Sequence, residues 1–322
     1  MQGLLARIGF GCGRLRGGFE EASSGRLVDE ALRCGIRYFD AAPSYGASEK
    51  ILGLGLRGVG SEVQVCTKVG LYASPPGRVA ELRGLILATV RAVLPDSAVN
   101  KLKQRRSSEE VDAVKPRGYG NFDCALIRRS VEMSLEALER PSLDCLLLHE
   151  PRMQDPTHEV AQLLGDLVGE RKVGRIGVGT HAGLEELPPF GEVAQFAIGR
   201  SKRNPDDKRI FVGHGLFRRL NSEAFGQCVG EAGILQRLPA LKRYLSDPLG
   251  MSALLLNAVL FGTDVDRVLL STASSKRLRA FVSTASNVYE DIQGYDDRKI
   301  DESLGQAVDQ YFARESLGRR SL

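Results

Sequence analysis

Short apolar runs that stop at a polar residue alternate along the chain with stretches whose apolar residues recur every three or four positions. The first pattern predicts buried strands and the second predicts helices packed on them. A first strand reads at 5–13, an apolar and glycine-rich run. Ser24 stands as the N-cap of a helix carrying Leu27, Val28, Ala31 and Leu32, which Gly35 ends. The second strand follows Gly35 and ends in Asp40; Pro43, Ser44 and Gly46 then mark a loop that holds Tyr45. A helix at 49–56 precedes strand three, 63–67, which runs into Lys68 and Gly70. Asp123 caps a helix reaching Glu139, and strand four, 143–148, runs into His149, Glu150 and Pro151. A helix at 159–171 leads to strand five at 175–179; strands six and seven read at 193–197 and 209–213. The stretch 220–260 is mostly helical, broken near Pro239 and Pro248. Strand eight reads at 267–271, and helices at 275–286 and 300–314 close the pattern.

Eight strand runs alternating with helices predict a parallel sheet covered by helices. The one break is 72–120, where a connection of a few residues is expected. It holds Pro75-Pro76-Gly77, an amphipathic run at 79–94, the basic run 101–106 and Pro116-Arg117-Gly118. It reads as a solvated flap, or as a lid or basic wall for an acidic substrate; 79–106 leaves peripheral membrane contact as a subsidiary reading. Gly9, Gly11 and Gly13 echo a dinucleotide fingerprint, but Arg14 breaks the G-x-G-x-x-G spacing. These glycines read instead as room for backbone beside a ligand or a turn. The expected fold is therefore α/β, a (β/α)8 TIM barrel in one domain over 1–322, with the insertion 72–120 after strand three.

Composition changes this picture little. The chain is 43% hydrophobic and 26% charged with a net charge of +4, which demands no nucleic-acid partner. The basic run also lacks interleaved aromatics. The six cysteines, at 12, 34, 66, 124, 145 and 228, share no C-x-x-C spacing, so they indicate neither a zinc site nor a redox dithiol. Cys66 and Cys145 sit inside apolar strand runs as small hydrophobes, which favours a reducing compartment. With no apolar leader before Arg7 and no apolar stretch of about 18 residues, a cytoplasmic protein is expected.

Three strands thus deliver Asp40 with Tyr45, Lys68 and His149 at their C-terminal ends, where barrels carry their active sites. Singly, each has an ordinary structural reading: a rim salt bridge, a loop anchor, a satisfied histidine. Together they gather four polar groups at one end of the barrel, whose chemistry the residues alone leave open. A free tyrosine holds its proton up to a pKa of about 10, and a nearby cation eases its loss. A buried lysine keeps its charge when a carboxylate pairs with it. Were such a group to reduce a carbonyl, the hydride would have to come from a cofactor, since no side chain donates one.

The stretches 35–46, 49–53, 67–70 and 146–151 resemble the aldo-keto reductases, and Asp, Tyr, Lys and His in that order form the family's catalytic tetrad. The resemblance covers nearly the whole chain outside the insertion. It implies that Tyr45 is the acid/base, that Lys68 lowers its pKa, that Asp40 holds Lys68 and that His149 orients the carbonyl. It also implies nicotinamide contacts from Gln195 in strand six and from the end of strand five, where Gly179 and Thr180 replace a serine and an asparagine. Thr180 keeps one hydroxyl. A stacking aromatic would fall near Val212, with His214 close by. The adenosine-phosphate region aligns with Ser271, Thr272, Ser274 and Arg277; Ser271 stands where a lysine is frequent. Arg277 and Lys276 favour NADP, with NAD as the alternative. The structural reading of Lys276, Arg277 and Arg279 is an exposed helix face.

The expected function is an NADP-dependent oxidoreductase interconverting a carbonyl (aldehyde, ketone or sugar) and an alcohol. Arg14, Arg16 and the basic run motivate a sugar or anionic small molecule as substrate, and the chain would act as a monomer or small homo-oligomer. The rival readings are a nicotinamide-binding regulatory or sensor barrel, and a lyase using Lys68 as a Schiff base.

Overall fold

The structure, a computed structural model, describes residues 2–71, 119–199, 204–217, 220–294 and 298–318. The insertion at 72–118, with its amphipathic and basic runs, lies outside the described residues. Eight parallel strands close into a barrel in sequence order. They are β1 (Ile8–Gly11), β2 (Tyr38–Asp40), β3 (Gln64–Val69), β4 (Leu143–His149), β5 (Val173–Gly179), β6 (Val193–Ala197), β7 (Ile210–His214) and β8 (Arg267–Leu270). Helices alternate with most of them on the outside; among the described residues only a 3-10 turn, Leu184–Glu186, separates β5 from β6 and no helix separates β6 from β7, and the closed parallel barrel bears out the (β/α)8 expectation.

Register and parity explain both the core and the site. Tyr38, Cys66, Cys145, Leu147, Val193, Val212 and Leu269 point inward and fill the lower barrel. Their strand neighbours Phe10, Phe39, Val65, Leu146, Val178 and Phe211 point outward into the layer beneath the helices. Side chains alternate with period two along a strand. Two residues on from Tyr38, Cys66, Leu147, Val193 and Val212, the inward positions are therefore Asp40, Lys68, His149, Gln195 and His214. Gly9 makes the plug fit: a Cβ there would lie 2.6 Å from Leu269 and 2.8 Å from the Tyr38 ring.

Local chemistry sets the helix ends. Asp123 caps Cys124–Leu138 by accepting from the Leu126 amide at 3.0 Å, as its position in the sequence indicates. Pro239 and Pro248 do break the 220–260 stretch, which separates into Ser222–Glu231, Ile234–Arg237, a 3-10 segment Pro239–Tyr244 and Pro248–Gly262. The last of these is apolar on all sides because other helices enclose it.

Two expectations are corrected. The first strand is shorter than 5–13: a helix Gln2–Ala6 buries Leu4, and Cys12–Arg14 is a 3-10 turn. Ser24 is no N-cap, since its helix, Glu21–Arg33, starts earlier. Its hydroxyl instead accepts from the Arg16 amide at 2.8 Å and donates to the Arg16 carbonyl at 2.9 Å, holding the loop after β1. All six cysteines are free thiols. No helix among the described residues is long and apolar enough to cross a membrane.

Helix Ser48–Gly55 is locked to the barrel by Glu49, which accepts from the Thr67 hydroxyl of β3 at 2.6 Å. Burial raises the Glu49 carboxyl above its ordinary 4.5, against the pull of the Thr67 hydrogen bond and of Lys68. A carboxyl with a raised folded pKa holds its proton more tightly when folded. Its stabilisation is full at low pH and is lost as pH rises from about 4.5 through the folded value. Glu49→Gln stays neutral, so the variant should gain on the wild type in thermal melts between about pH 5 and pH 8. A difference in Tm that stays constant over that interval would contradict the assignment.

Candidate active site

The inward residues at the C-terminal ends of the strands converge on one group, the Lys68 ammonium. Its Nζ lies 2.5 Å from Asp40 Oδ1 and donates to the Ala41 carbonyl at 3.0 Å. The same Asp40 oxygen accepts from Gln195 Nε2 at 2.9 Å, so β2, β3 and β6 are joined across the barrel. Both charges are buried, Lys68 to 2% and Asp40 to 3% exposure. Burial alone would pull Lys68 down. The facing Asp40 and Tyr45 outweigh it and hold the ammonium above its ordinary value.

Tyr45 reaches this charge from a short 3-10 turn, Pro43–Tyr45, entered after β2. Its ring centroid stands 5.1 Å from Lys68 Nζ. His149, the last residue of β4, meets the Tyr45 ring edge-on, with centroids 6.0 Å apart at 88°. These four groups floor a cleft of ≈ 420 Å³ that opens at the C-terminal end of the barrel. The four candidate catalytic residues are therefore neighbours.

The candidate cofactor residues divide. Thr180, Gln195 and Ser271 line the cleft. Thr180 is committed as well as present: its hydroxyl donates to Glu150 at 2.8 Å and accepts from the Ala182 amide at 3.1 Å. Thr272, Ser274 and Arg277 stand away from the cleft wall, at the start of helix Ser275–Gln293. Thr272 Oγ1 accepts from the Ser274 amide at 3.2 Å, and Ser274 Oγ caps the helix at the Arg277 amide, 3.3 Å away. Lys276 and Arg277 are exposed. Arg279 is not mere surface charge: it holds buried Glu30 through Nε at 2.7 Å and Nη2 at 2.5 Å, binding the last barrel helix to Glu21–Arg33.

Val212 belongs to the apolar plug, one layer too deep to stack on a ligand. The rings at the cleft wall are His214, two residues on and of the same parity, and Phe217, which packs on Phe281 at 5.2 Å. Glu150 and His181 also line the cleft, and neither stood out in the sequence. The signal for them was their position: each lies one or two residues past an inward strand end. Arg14 lines the rim, whereas Arg16 is held on the Ser24 side of its loop.

Removing one partner of a buried pair leaves an uncompensated charge, at a typical cost of about 3–5 kcal/mol. Asp40→Asn should lower the unfolding free energy by about that amount in urea titrations, and Asp40→Asn with Lys68→Met should recover most of it. A loss below about 1 kcal/mol in the single variant would mean that the pair is solvated.

Known proteins can be set beside this geometry. The aldo/keto reductase family model matches residues 7–188. Aldo-keto reductase YhdN of Bacillus subtilis (strain 168) is 28% identical over 195 residues. That alignment takes in 59% of this chain and 47% of the relative, so the chain spans about half the length of the curated relative it matches. Aldo-keto reductase AKR11C1 from Bacillus halodurans (holo form) superposes with a TM-score of 0.56 at 19% identity, covering 91% of this chain and 92% of that one. The glycerol dehydrogenase AKR11B4 from Gluconobacter oxydans gives 0.54 at 17%, covering 90% and 92%. At such identities the structural likenesses show a common fold. The family model spans more than half of the sequence, including the strands that carry Asp40, Lys68 and His149, and the chain belongs to the aldo/keto reductase family.

Proposed function

We propose that this chain, as one barrel domain, interconverts a carbonyl and an alcohol with NADP, Tyr45 serving as acid and base. The observation that carries the reading is the buried ammonium of Lys68, held by Asp40 and turned toward Tyr45 with His149 opposite. In the reducing direction Tyr45 gives its proton to the carbonyl oxygen. Lys68 stabilises the negative charge that develops on the phenolic oxygen, and Asp40 keeps Lys68 charged while it does so. His149 holds the carbonyl oxygen within reach of Tyr45. The same retained charge argues against a Schiff base, which needs a neutral amine.

The residues present fit a nicotinamide nucleotide. The cleft lies within the usual range of about 300–1,000 Å³ for small-ligand sites. Gln195 and Thr180 bring an amide and a hydroxyl to one wall. Gly179 keeps that wall open, since a Cβ there would stand 3.0 Å from Gln195 Oε1 and 3.4 Å from Leu147. When bound, NADP supplies the hydride that no side chain can. Ser271 leads from the cleft toward Thr272, Ser274 and the exposed Lys276 and Arg277, whose charges suit a phosphate dianion. Arg14 at the rim supports a substrate bearing negative charge or several hydroxyls. The tie between Thr180 and Glu150 favours one second reading, a barrel that binds cofactor and turns over little.

Tyr45→Phe should cut aldehyde-dependent NADPH oxidation by about 10²–10⁴-fold while nicotinamide fluorescence still reports binding. Equal rates in the two proteins would remove Tyr45 from the reaction. Cofactor binding without turnover by the wild type, across neutral and anionic carbonyls, would support the sensor reading instead. Arg277→Ala should weaken NADPH by about tenfold and NADH much less. An equal loss for both would place the phosphate elsewhere.

A further inference from the structure

The sequence contains four histidines, and three of them, His149, His181 and His214, face the cleft. The fourth, His158, is exposed on the first turn of helix His158–Gly169. The His149 and His181 rings stand edge-on with centroids 6.2 Å apart. The Glu150 carboxylate completes the group. His181 Nε2 lies 3.8 Å from Glu150 Oε1, and one ligand atom from each of His149, Glu150 and His181 lies within 4.8 Å of the others.

The local backbone builds this group. His149 is inward by the parity of β4. Glu150 then adopts φ 55°, a left-handed conformation that is uncommon for a residue with a Cβ. Its amide donates to the Gly179 carbonyl at 2.7 Å, which ties the end of β4 to the end of β5, where His181 follows. Its carboxylate is oriented by the Thr180 hydroxyl on Oε2 and the His181 amide on Oε1, each at 2.8 Å. Carboxylates that ligate metals are characteristically hydrogen-bonded in this way.

We propose that His149, Glu150 and His181 form a site for one divalent transition-metal cation of the zinc type at the wall of the cleft. Two imidazole nitrogens and one carboxylate oxygen are a donor set used by catalytic zinc, with a further position left open. Here that position faces the cleft. Ligand atoms on a tetrahedral zinc lie about 3.4 Å apart, given metal–nitrogen distances of about 2.0–2.1 Å. Imidazole donors select zinc, cobalt or nickel over magnesium and calcium, which take oxygen ligands. The metal would take a ring nitrogen of His149, the residue assigned to the carbonyl. Occupation should therefore inhibit reduction, a consequence that rests on the proposed function; the binding itself does not.

The test is a titration of the full chain, stripped with chelator, with Co²⁺ at neutral pH, read by visible absorption and calorimetry. One Co²⁺ per chain is expected, displaced by Zn²⁺ and unaffected by excess Mg²⁺. His181→Ala and Glu150→Gln should each weaken binding by about 100-fold, by analogy with losses of this order in well-built sites. His158→Ala should leave it unchanged. Circular dichroism confirms that each variant is folded. The proposal fails if no saturable binding is seen. It also fails if both cleft variants bind as the wild type does, or if a thiolate-to-cobalt band reports cysteine ligands. Zn²⁺ inhibition of NADPH oxidation, lost in His181→Ala relative to that variant's own rate, would add the regulatory consequence. If the chain proves to have no turnover, the binding titration alone still decides the site.

Discussion

A charge inside a barrel is the constraint around which this structure is arranged. The Lys68 ammonium is almost completely removed from water, and desolvation opposes it. It persists because one oxygen of Asp40 and the Ala41 carbonyl replace its hydration, while Gln195 steadies the same carboxylate from across the barrel. The arrangement requires Asp40 of β2, Lys68 of β3 and Gln195 of β6 to lie at one level. A slip of one residue in any of these strands would turn its polar group out among the helices. The pair thus couples strand register to chemistry.

The plug below is the other half of that arrangement. Tyr38, Leu147, Val212 and Leu269 pack beneath the ion pair, and the cleft lies above it. The buried thiols of Cys12 and Cys145 are pushed up, chiefly by burial for Cys12 and by the Cys66 contact together with burial for Cys145, and they pack as small apolar groups. A barrel interior of this kind favours one deliberate charge centre over several.

Most of the architecture was legible because two periodicities dominate the chain. Strand six was read at its observed limits, and the neighbouring strands within a few residues. Asp40, Lys68 and His149 could be found because each ends an apolar run, and Tyr45 because it follows one at a turn. What escaped the reading depends on contacts between distant segments. Ser24 looks like a helix cap until Arg16 takes its hydroxyl. Arg279 looks like surface charge until Glu30 comes beside it. Val212 and His214 share strand parity and differ by one layer, and a run of letters does not locate that depth. Glu150 and His181 are 31 positions apart, and only the pairing of β4 with β5 makes them neighbours.

The filled lower barrel also bears on the order of events. Among the described residues, the apolar plug floors the cleft, whose lining gathers at the C-terminal ends of the strands. Under the proposed reaction, cofactor and carbonyl would share that end of the barrel. Whichever of the two lay deeper would arrive first and leave last. Traffic through the site would then be sequential, like a stack in which the last item placed is the first removed.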